Sequence, residues 1–150
     1  MNKTIHELEE ITQAEATDEL IVFDVSDAKS KKVQMKNLVG SYSESETFTG
    51  QYWIDGKPIY RKVVDCGNLP NNTTKQVAHN ISNLGNFVSI RGIAWGSGIT
   101  DIIPLPLVSS AGKQYDVGIY CTATNVCLES VFDRSALNNS YAILEYTKSS

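Results

Sequence analysis

Two aromatic residues beside short polar loops are the side chains in this 150-residue sequence best placed to bind a ligand. Trp95 comes directly before a Gly-Ser-Gly turn that contains Ser97, and Tyr115 follows shortly after Lys113. An aromatic ring can cover the apolar face of a sugar while nearby polar groups bond the sugar hydroxyls. We therefore predict that Trp95, Ser97, Lys113 and Tyr115 bind a ligand. The alternative is that both rings pack in a core or at a subunit interface.

Groups suited to catalysis are present, but the sequence does not organise them. Glycan hydrolysis needs two carboxylates that flank the scissile bond. The candidates are Asp101, Asp116, Glu129 and Asp133, and nothing pairs them along the chain. The sequence contains no Gly-x-Ser-x-Gly nucleophile motif. We therefore expect no enzymatic activity and a structural role for His79, with a glycan hydrolase kept as an alternative.

Metal and cofactor sites are not indicated either. The three cysteines, Cys66, Cys121 and Cys127, have no Cys-x-x-Cys spacing and are expected to be buried free thiols. The acidic residues before position 20 lack the spacing of a calcium loop and are typical of a solvated surface. We expect no metal and no cofactor.

The charge balance and the hydropathy exclude several classes of partner. The formal net charge is -4, whereas affinity for nucleic acid depends mainly on clustered Lys and Arg. No apolar stretch approaches the roughly 20 residues that span a bilayer. Residues 1–7 lack the apolar run of a signal peptide, so we expect synthesis in a cytoplasm. Nucleic-acid binding and membrane insertion are not expected.

Strand patterns dominate the elements that must position these residues, and they predict an all-β protein in two parts, residues 1–40 and 41–150. In the first part, residues 20–25 form an apolar β-branched run. A polar turn over 26–31 and an alternating segment over 32–36 follow it. The first part is therefore predicted to be a β-hairpin module.

This small module is expected to need a partner. An isolated two-stranded hairpin is marginal in water, and a strand that is apolar on both faces must be covered on both. Self-association is the simplest solution. The predicted interface residues are Ile21, Phe23, Val25, Val33 and Met35, and Arg91 or Arg134 could form ion pairs across a subunit boundary.

The second part is predicted to be a β-sandwich of the jelly-roll type. After a linker over 40–50, an Asp55-Gly56 turn signal joins two strands in the clearest hairpin of the sequence. Alternation over 87–95 places Phe87 on the same face as Arg91 and Trp95. The run 102–108 contains two prolines and is expected at a sheet edge. About seven short strands at regular spacing are typical of this fold.

A specific motif resembles the appendage proteins of phages and prophages. Residues 50–62, Gly-Gln-Tyr-Trp-Ile-Asp-Gly-Lys-Pro-Ile-Tyr-Arg-Lys, resemble a motif of tail-fibre, baseplate and other appendage proteins. Further segments agree in order at 77–81 with Leu84, at 103–106, at 133–135 and at 142–148, so the resemblance covers residues 42–148. Residues 1–40 resemble a small β-unit of phage fibres and tailspikes, through 20–24, Lys32, Val33, Asn37 and Leu38.

The resemblance implies a virion appendage, usually a homotrimer. Its N-terminal module would attach to other virion proteins, and its C-terminal domain would contact the host surface, where a glycan is a candidate ligand. The sequence has no coiled coil, collagen-like repeat or β-helix repeat, so a short tail or head fibre is expected. The alternative is a purely structural head or tail decoration or adaptor protein without receptor contact.

Overall fold

The computed structural model describes residues 19–24, 29–34, 41–98 and 101–149. The chain divides into two units, Met1–Gly40 and Ser41–Ser150. In their described parts both units consist of antiparallel strands, and the one helical element there is a 3-10 turn at Lys113–Tyr115. The prediction of an all-β protein is confirmed.

The first unit contains the predicted hairpin, with a shorter connection than expected. Strand β1 (Glu19–Asp24) pairs antiparallel with β2 (Lys29–Gln34). The prediction of a turn over 26–31 is wrong for residues 29–31, because these residues belong to β2 and pair with β1. Of the predicted interface residues, Ile21, Phe23 and Val33 lie on these strands, whereas Val25 and Met35 fall outside the described residues.

The second unit contains eight described strands in two antiparallel sheets. They are β3 (Thr47–Tyr52), β4 (Pro58–Asp65), β5 (Thr74–Ala78), β6 (Leu84–Trp95), β7 (Ile102–Leu105), β8 (Gly118–Cys121), β9 (Asn125–Glu129) and β10 (Asn139–Lys148). The larger sheet has the order β3-β4-β10-β6-β7, and the smaller one has the order β5-β9-β8. The last strand therefore lies at the centre of the larger sheet.

One apolar core joins the two sheets. The larger sheet contributes Ala94, Ala142 and Leu144, and the smaller sheet contributes Val126 and Leu128, all of which are fully buried. On the larger sheet the neighbours of Ala94, Ala142 and Leu144 along each strand are more exposed, as the two-residue period of a strand requires, whereas β9 is buried throughout Val126, Cys127 and Leu128. The sheets thus form a sandwich-like pair of layers.

The β3–β4 hairpin forms around the Asp-Gly signal, as predicted. Gly56 has a φ of 79°, a left-handed conformation that glycine adopts without strain. Its N–H donates to the Trp53 carbonyl at 2.9 Å. The linker predicted over 40–50 is too long, because β3 already begins at Thr47. The Thr49 hydroxyl donates to the Ile59 carbonyl of β4 at 2.9 Å and helps to hold β3 on the sheet.

A β-bulge in β6 overturns part of the predicted alternation. Glu145 lies opposite Ser89 and Tyr146 lies opposite Phe87, so β6 carries one extra residue, Val88, between the two pairs. The bulge turns Phe87 towards the core, where its ring lies 6.5 Å from that of buried Tyr146. Phe87 therefore does not share a face with Arg91 and Trp95.

Two further predictions agree with the structure. Pro104 lies in β7, an edge strand of the larger sheet. Proline has no backbone N–H, and an edge strand tolerates it because only one side of the strand is hydrogen-bonded. All three cysteines are free, and Cys66 and Cys127 are buried as predicted, whereas Cys121 is only partly buried. Burial raises the pKa of Cys66 to about 11 and that of Cys121 to about 12. The Cys66 and Cys121 thiols are therefore protonated and poorly nucleophilic at neutral pH.

Candidate functional site

A cleft of about 480 Å³ lies where three loop segments of the second unit meet. We call it the Tyr115 cleft. Its lining consists of Asp101, Ile102, Ile103, Tyr115, Asp133, Arg134, Ala136 and Leu137. The volume falls within the range of small-molecule sites. The cleft thus combines an aromatic ring, a guanidinium group, two carboxylates and an aliphatic wall.

Backbone hydrogen bonds fix the loop that carries Asp133 and Arg134. The Arg134 N–H donates to the Pro70 carbonyl at 3.1 Å, and the Leu69 N–H donates to the Leu137 carbonyl at 2.9 Å. Leu137 is buried and anchors the loop to the core. The cleft side chains therefore project from a braced segment.

The Asp133 carboxylate is held in its ionised form. Its Oδ1 accepts hydrogen bonds from the Ser135 N–H at 2.9 Å and from the Ser135 hydroxyl at 2.6 Å. These bonds favour the charged state and lower the pKa of Asp133 below its ordinary value. Asp133 is thus an ionised hydrogen-bond acceptor at neutral pH.

The loop that carries Tyr115 is also closed by backbone bonds. Leu107 and Val117 exchange two hydrogen bonds of 2.9 and 3.0 Å. Asp116 Oδ1 accepts a hydrogen bond from the Ser109 N–H at 2.8 Å across the same loop. The 3-10 turn Lys113–Tyr115 follows from this closure and places the Tyr115 ring at the cleft, 41% exposed.

Arg134 lies over the Tyr115 ring and has an unsatisfied donor. Its guanidinium carbon is 5.5 Å from the ring centroid. This separation is within the range of a cation–π interaction. The Arg134 Nε is buried without a hydrogen-bond partner. Within the described residues no ion pair joins Arg134 to a carboxylate, so no direct partner there neutralises its charge.

Of the four predicted ligand-binding residues, the structure brings Tyr115 alone into this cleft. Lys113 lines a neighbouring cleft of about 310 Å³ together with Asp116 and Glu129. Trp95 stacks on Tyr141 with ring centroids 5.6 Å apart, and Ser97 is exposed in the loop after β6. The four residues thus do not form one site.

The structure pairs acidic residues that are far apart in the sequence. Asp101 and Asp133 line the Tyr115 cleft, whereas Asp116 and Glu129 line its neighbour. From the sequence alone, Arg134 was expected only as a partner in an ion pair across a subunit boundary. For Arg134 itself, the signal in the sequence was the Asp133-Arg134-Ser135 segment of the resemblance.

A second feature is the side of the larger sheet that faces away from the smaller sheet, which we call the outer face. Its side chains alternate with the buried residues of β4, β6 and β10. They include Arg61, Val63, Asp65, Ser89, Arg91, Ile93, Trp95, Ile102, Asn139, Tyr141, Ile143 and Glu145. An antiparallel sheet in contact with water usually has polar side chains on that face. The outer face instead carries an apolar strip of Val63, Ile93, Trp95, Tyr141 and Ile143, with Arg61, Arg91 and Glu145 at one end and Asp65 opposite Tyr141.

The charged end of the outer face contains the predicted interface residue Arg91. Glu145 Oε1 accepts from Arg61 at 2.8 Å and lies 3.5 Å from the Arg91 guanidinium. Arg91 also donates to the Tyr42 hydroxyl at 3.2 Å. The bond to Tyr42 and the charge of Glu145 raise the pKa of Arg91. Arg91 is therefore tied to the face of its own unit.

His79 takes a structural position. Its ring is buried, Nδ1 accepts a hydrogen bond from the Ile81 N–H at 3.1 Å, and Nε2 lies 3.4 Å from the Thr122 carbonyl oxygen. Both ring nitrogens are thus used inside the protein. Within the described residues no group of three His, Cys, Asp or Glu side chains could hold a metal ion, and no helix is long and apolar enough to cross a membrane.

Comparison with known proteins identifies no relative. No protein-family model matches the chain, and neither the curated proteins nor the solved structures yielded a match.

Proposed function

We propose that the protein is a non-enzymatic structural appendage of a phage or prophage virion that contributes to host-surface adsorption. The appendage is a tail-fibre, baseplate or head-fibre component, made in the host cytoplasm and located on the particle. The sequence resemblance over residues 42–148 supports this class. The observation that carries the adsorption role is the Tyr115 cleft, because its aromatic and polar side chains suit a surface glycan.

The ionisation of Asp133 supports binding without catalysis. A glycosidase needs a carboxylic acid that stays protonated near neutral pH to protonate the leaving group. The hydrogen bonds from Ser135 push Asp133 in the opposite direction. Asp133 therefore serves as a hydrogen-bond acceptor in the cleft and not as a general acid.

The appendage assembles as a homo-oligomer, most simply a homotrimer. The first unit self-associates and attaches to other virion proteins, because its hairpin is too small to be stable alone. Association through the first unit also concentrates the second units, which favours contact between outer faces of neighbouring copies. The apolar character of that face, with exposed Ile93 at its centre, supports this contact.

The second unit has a winding of the jelly-roll type. The chain passes from β4 in the larger sheet to β5 in the smaller sheet and back to β6. The last strand, β10, lies between β4 and β6. Alternation between sheets with central placement of the last strand supports this winding.

Adsorption then depends on multivalency. Several equivalent weak sites on one particle raise the avidity by orders of magnitude over a single contact, provided that they bind simultaneously. A modest affinity of each Tyr115 cleft is therefore sufficient to hold a virion on a cell.

Binding of the purified chain to host cells tests the adsorption role. We expect saturable binding that competes with phage adsorption, and we expect Arg134→Gln to reduce both effects. Lys57→Gln, at the exposed β3–β4 turn, is the matched control and should behave as the wild type. Absence of saturable binding would contradict the proposal.

The alternative is a decoration or adaptor protein that contacts virion proteins alone. The apolar outer face favours it equally, since that face fits any protein partner. In that case deletion of the gene would block particle assembly, and the purified chain would neither bind host cells nor inhibit adsorption.

A further inference from the structure

We propose that the Tyr115 cleft takes an uncharged sugar residue, bound through its hydroxyl groups, in preference to an acidic sugar. This inference rests on the proposed function and specifies the ligand class of the same site. It follows from the balance of donors, acceptors and charges in the cleft lining.

The charge of the cleft opposes an acidic sugar. Asp101 and Asp133 contribute two negative charges, against the single positive charge of Arg134. Asp133 is fixed as an anion by the two hydrogen bonds from Ser135. A carboxylate or sulfate on the ligand would therefore gain one guanidinium and face two like charges. The net charge of -4 on the chain adds to this repulsion.

The net negative charge of the same lining would attract a cationic ligand, but a ligand that offers only donors leaves Arg134 without a partner. Arg134 has no carboxylate partner within the described residues. A ligand with donors alone cannot satisfy a guanidinium, because arginine accepts no hydrogen bond. The ligand must therefore offer acceptors to Arg134 and donors to the aspartates.

A sugar hydroxyl meets both requirements without a net charge. Each hydroxyl donates one hydrogen bond and accepts two, so adjacent hydroxyls can donate to a carboxylate and accept from a guanidinium. The aliphatic side chains of Ile103 and Leu137, with the Tyr115 ring, provide the apolar surface that the C–H groups of a sugar require. The cleft thus matches a neutral polyol with one apolar side.

The braced loops make the match specific. Asp133 and Arg134 are adjacent in a segment held by the Pro70 carbonyl and the Leu69 N–H, and the Tyr115 loop is closed by the Leu107–Val117 pair. A site whose polar groups are already positioned loses less conformational entropy on binding. The Tyr115 cleft therefore presents its donors and acceptors in one arrangement.

Titration of the full chain with defined oligosaccharides tests the ligand class. The probes are short neutral oligomers of glucose, galactose, mannose and N-acetylhexosamines, and the corresponding uronic acid oligomers. Protein-detected NMR or calorimetry measures the affinities. We expect at least one neutral oligomer to bind more tightly than its uronate counterpart.

Two variants separate the contributions of charge and hydrogen bonding. Arg134→Gln should weaken neutral-sugar binding by roughly 10-fold or more, since bonds to charged donors are the stronger ones. Asp133→Asn keeps an oxygen that can accept from the Ser135 N–H but removes one negative charge. It should narrow or reverse the preference for neutral over uronate oligomers, and Lys57→Gln should change neither affinity.

The outcomes distinguish this inference from the proposed function. Tighter binding of uronates by the wild type, or wild-type behaviour of both cleft variants, would overturn the inference, as would a complete lack of binding to the neutral series. If the chain bound host cells saturably and only acidic oligosaccharides inhibited that binding, the inference would be wrong but the adsorption role would stand. Neutral-sugar binding without any host-cell binding would support the inference and contradict the adsorption role.

Discussion

At the residue scale, His79 connects two parts of the second unit through both of its ring nitrogens. Because Nδ1 accepts from the Ile81 N–H, the ring proton of the neutral form lies on Nε2, which faces the Thr122 carbonyl. The His79 N–H also donates to the Thr124 carbonyl at 3.0 Å. The end of β5 is thereby attached to the β8–β9 turn.

Truncation of this side chain should be costly. We expect His79→Ala to lower the free energy of unfolding by roughly 2–4 kcal/mol, because it leaves a cavity and an unbonded Ile81 N–H. His79→Asn offers an oxygen to the same N–H and should lose about half as much. Urea unfolding followed by fluorescence measures both. Equal losses for the two variants would mean that the Ile81 bond does not contribute.

The environment of Tyr146 should make the free energy of unfolding depend on pH in the alkaline range. Its ring is fully buried, and its hydroxyl donates to Glu46 Oε2 at 2.6 Å, while Lys148 forms an ion pair with the same carboxylate. Burial and the negative charge of Glu46 raise the pKa of Tyr146 above the ordinary value of 10.0. The folded state therefore keeps this proton at a pH where the unfolded chain releases it.

This shift stabilises the fold fully below the ordinary pKa of tyrosine, and the stabilisation is lost as the pH rises above that value. The free energy of unfolding should then fall by about 1.4 kcal/mol per pH unit from this group. Tyr146→Phe should remove that part of the slope and lose about 1 kcal/mol at neutral pH. Tyr52→Phe, on an exposed side chain, is the control. An unchanged alkaline slope in Tyr146→Phe would contradict the prediction.

At the element scale, local turn chemistry was predictable and long-range pairing was less so. The Asp55-Gly56 signal identified the β3–β4 hairpin because a left-handed glycine is a local requirement. The start of β3 at Thr47 was missed because a polar segment rich in threonine resembles a linker in the sequence. The backbone carbonyls of β4 that accept hydrogen bonds from these hydroxyls come close only after folding. The reversed side of Phe87 depends on the Val88 bulge, which arises from pairing with distant β10.

Strands β6 and β10 approach each other so closely at Gly92 that a single added methyl group should destabilise the second unit. A Cβ at Gly92 would lie 2.6 Å from the Tyr141 carbonyl oxygen and 3.3 Å from the Leu105 side chain. The strands would therefore have to separate. Gly92→Ala should destabilise the second unit by roughly 2 kcal/mol or more. Gly118→Ala is the control within a strand, because its Cβ would lie 3.8 Å from its nearest neighbour, and it should leave the stability nearly unchanged. Thermal unfolding of both variants measures the two effects.

At the scale of the whole molecule, the candidate site illustrates the limit of prediction from sequence. Tyr115 was identified because an aromatic residue beside polar loop residues is visible locally. The pairing of Asp101 with Asp133, and the position of Arg134 over Tyr115, depend on three loops that converge after folding. The separation of Lys113 from Tyr115 into adjacent clefts likewise requires the geometry of the turn that joins them.

Association of copies of the chain through the outer face can be tested by substitution of Ile93. Ile93 is 38% exposed on the larger sheet, beside Ile143 and Tyr141. A carboxylate at this position would have to be desolvated in any contact between copies. We expect the intact chain of 16.5 kDa to form a stable oligomer at micromolar concentration. Ile93→Asp should weaken its association by roughly 10-fold or more.

Light scattering coupled to size-exclusion chromatography over a concentration series measures this association. Ile54→Asp is the matched control, because Ile54 is 91% exposed at the β3–β4 turn and does not lie on the outer face. A monomeric wild type would contradict assembly altogether. An oligomer that Ile93→Asp and Ile54→Asp leave equally stable would instead show that the first unit alone holds the copies together. The outer face would then be available for another virion protein, as in the decoration or adaptor alternative.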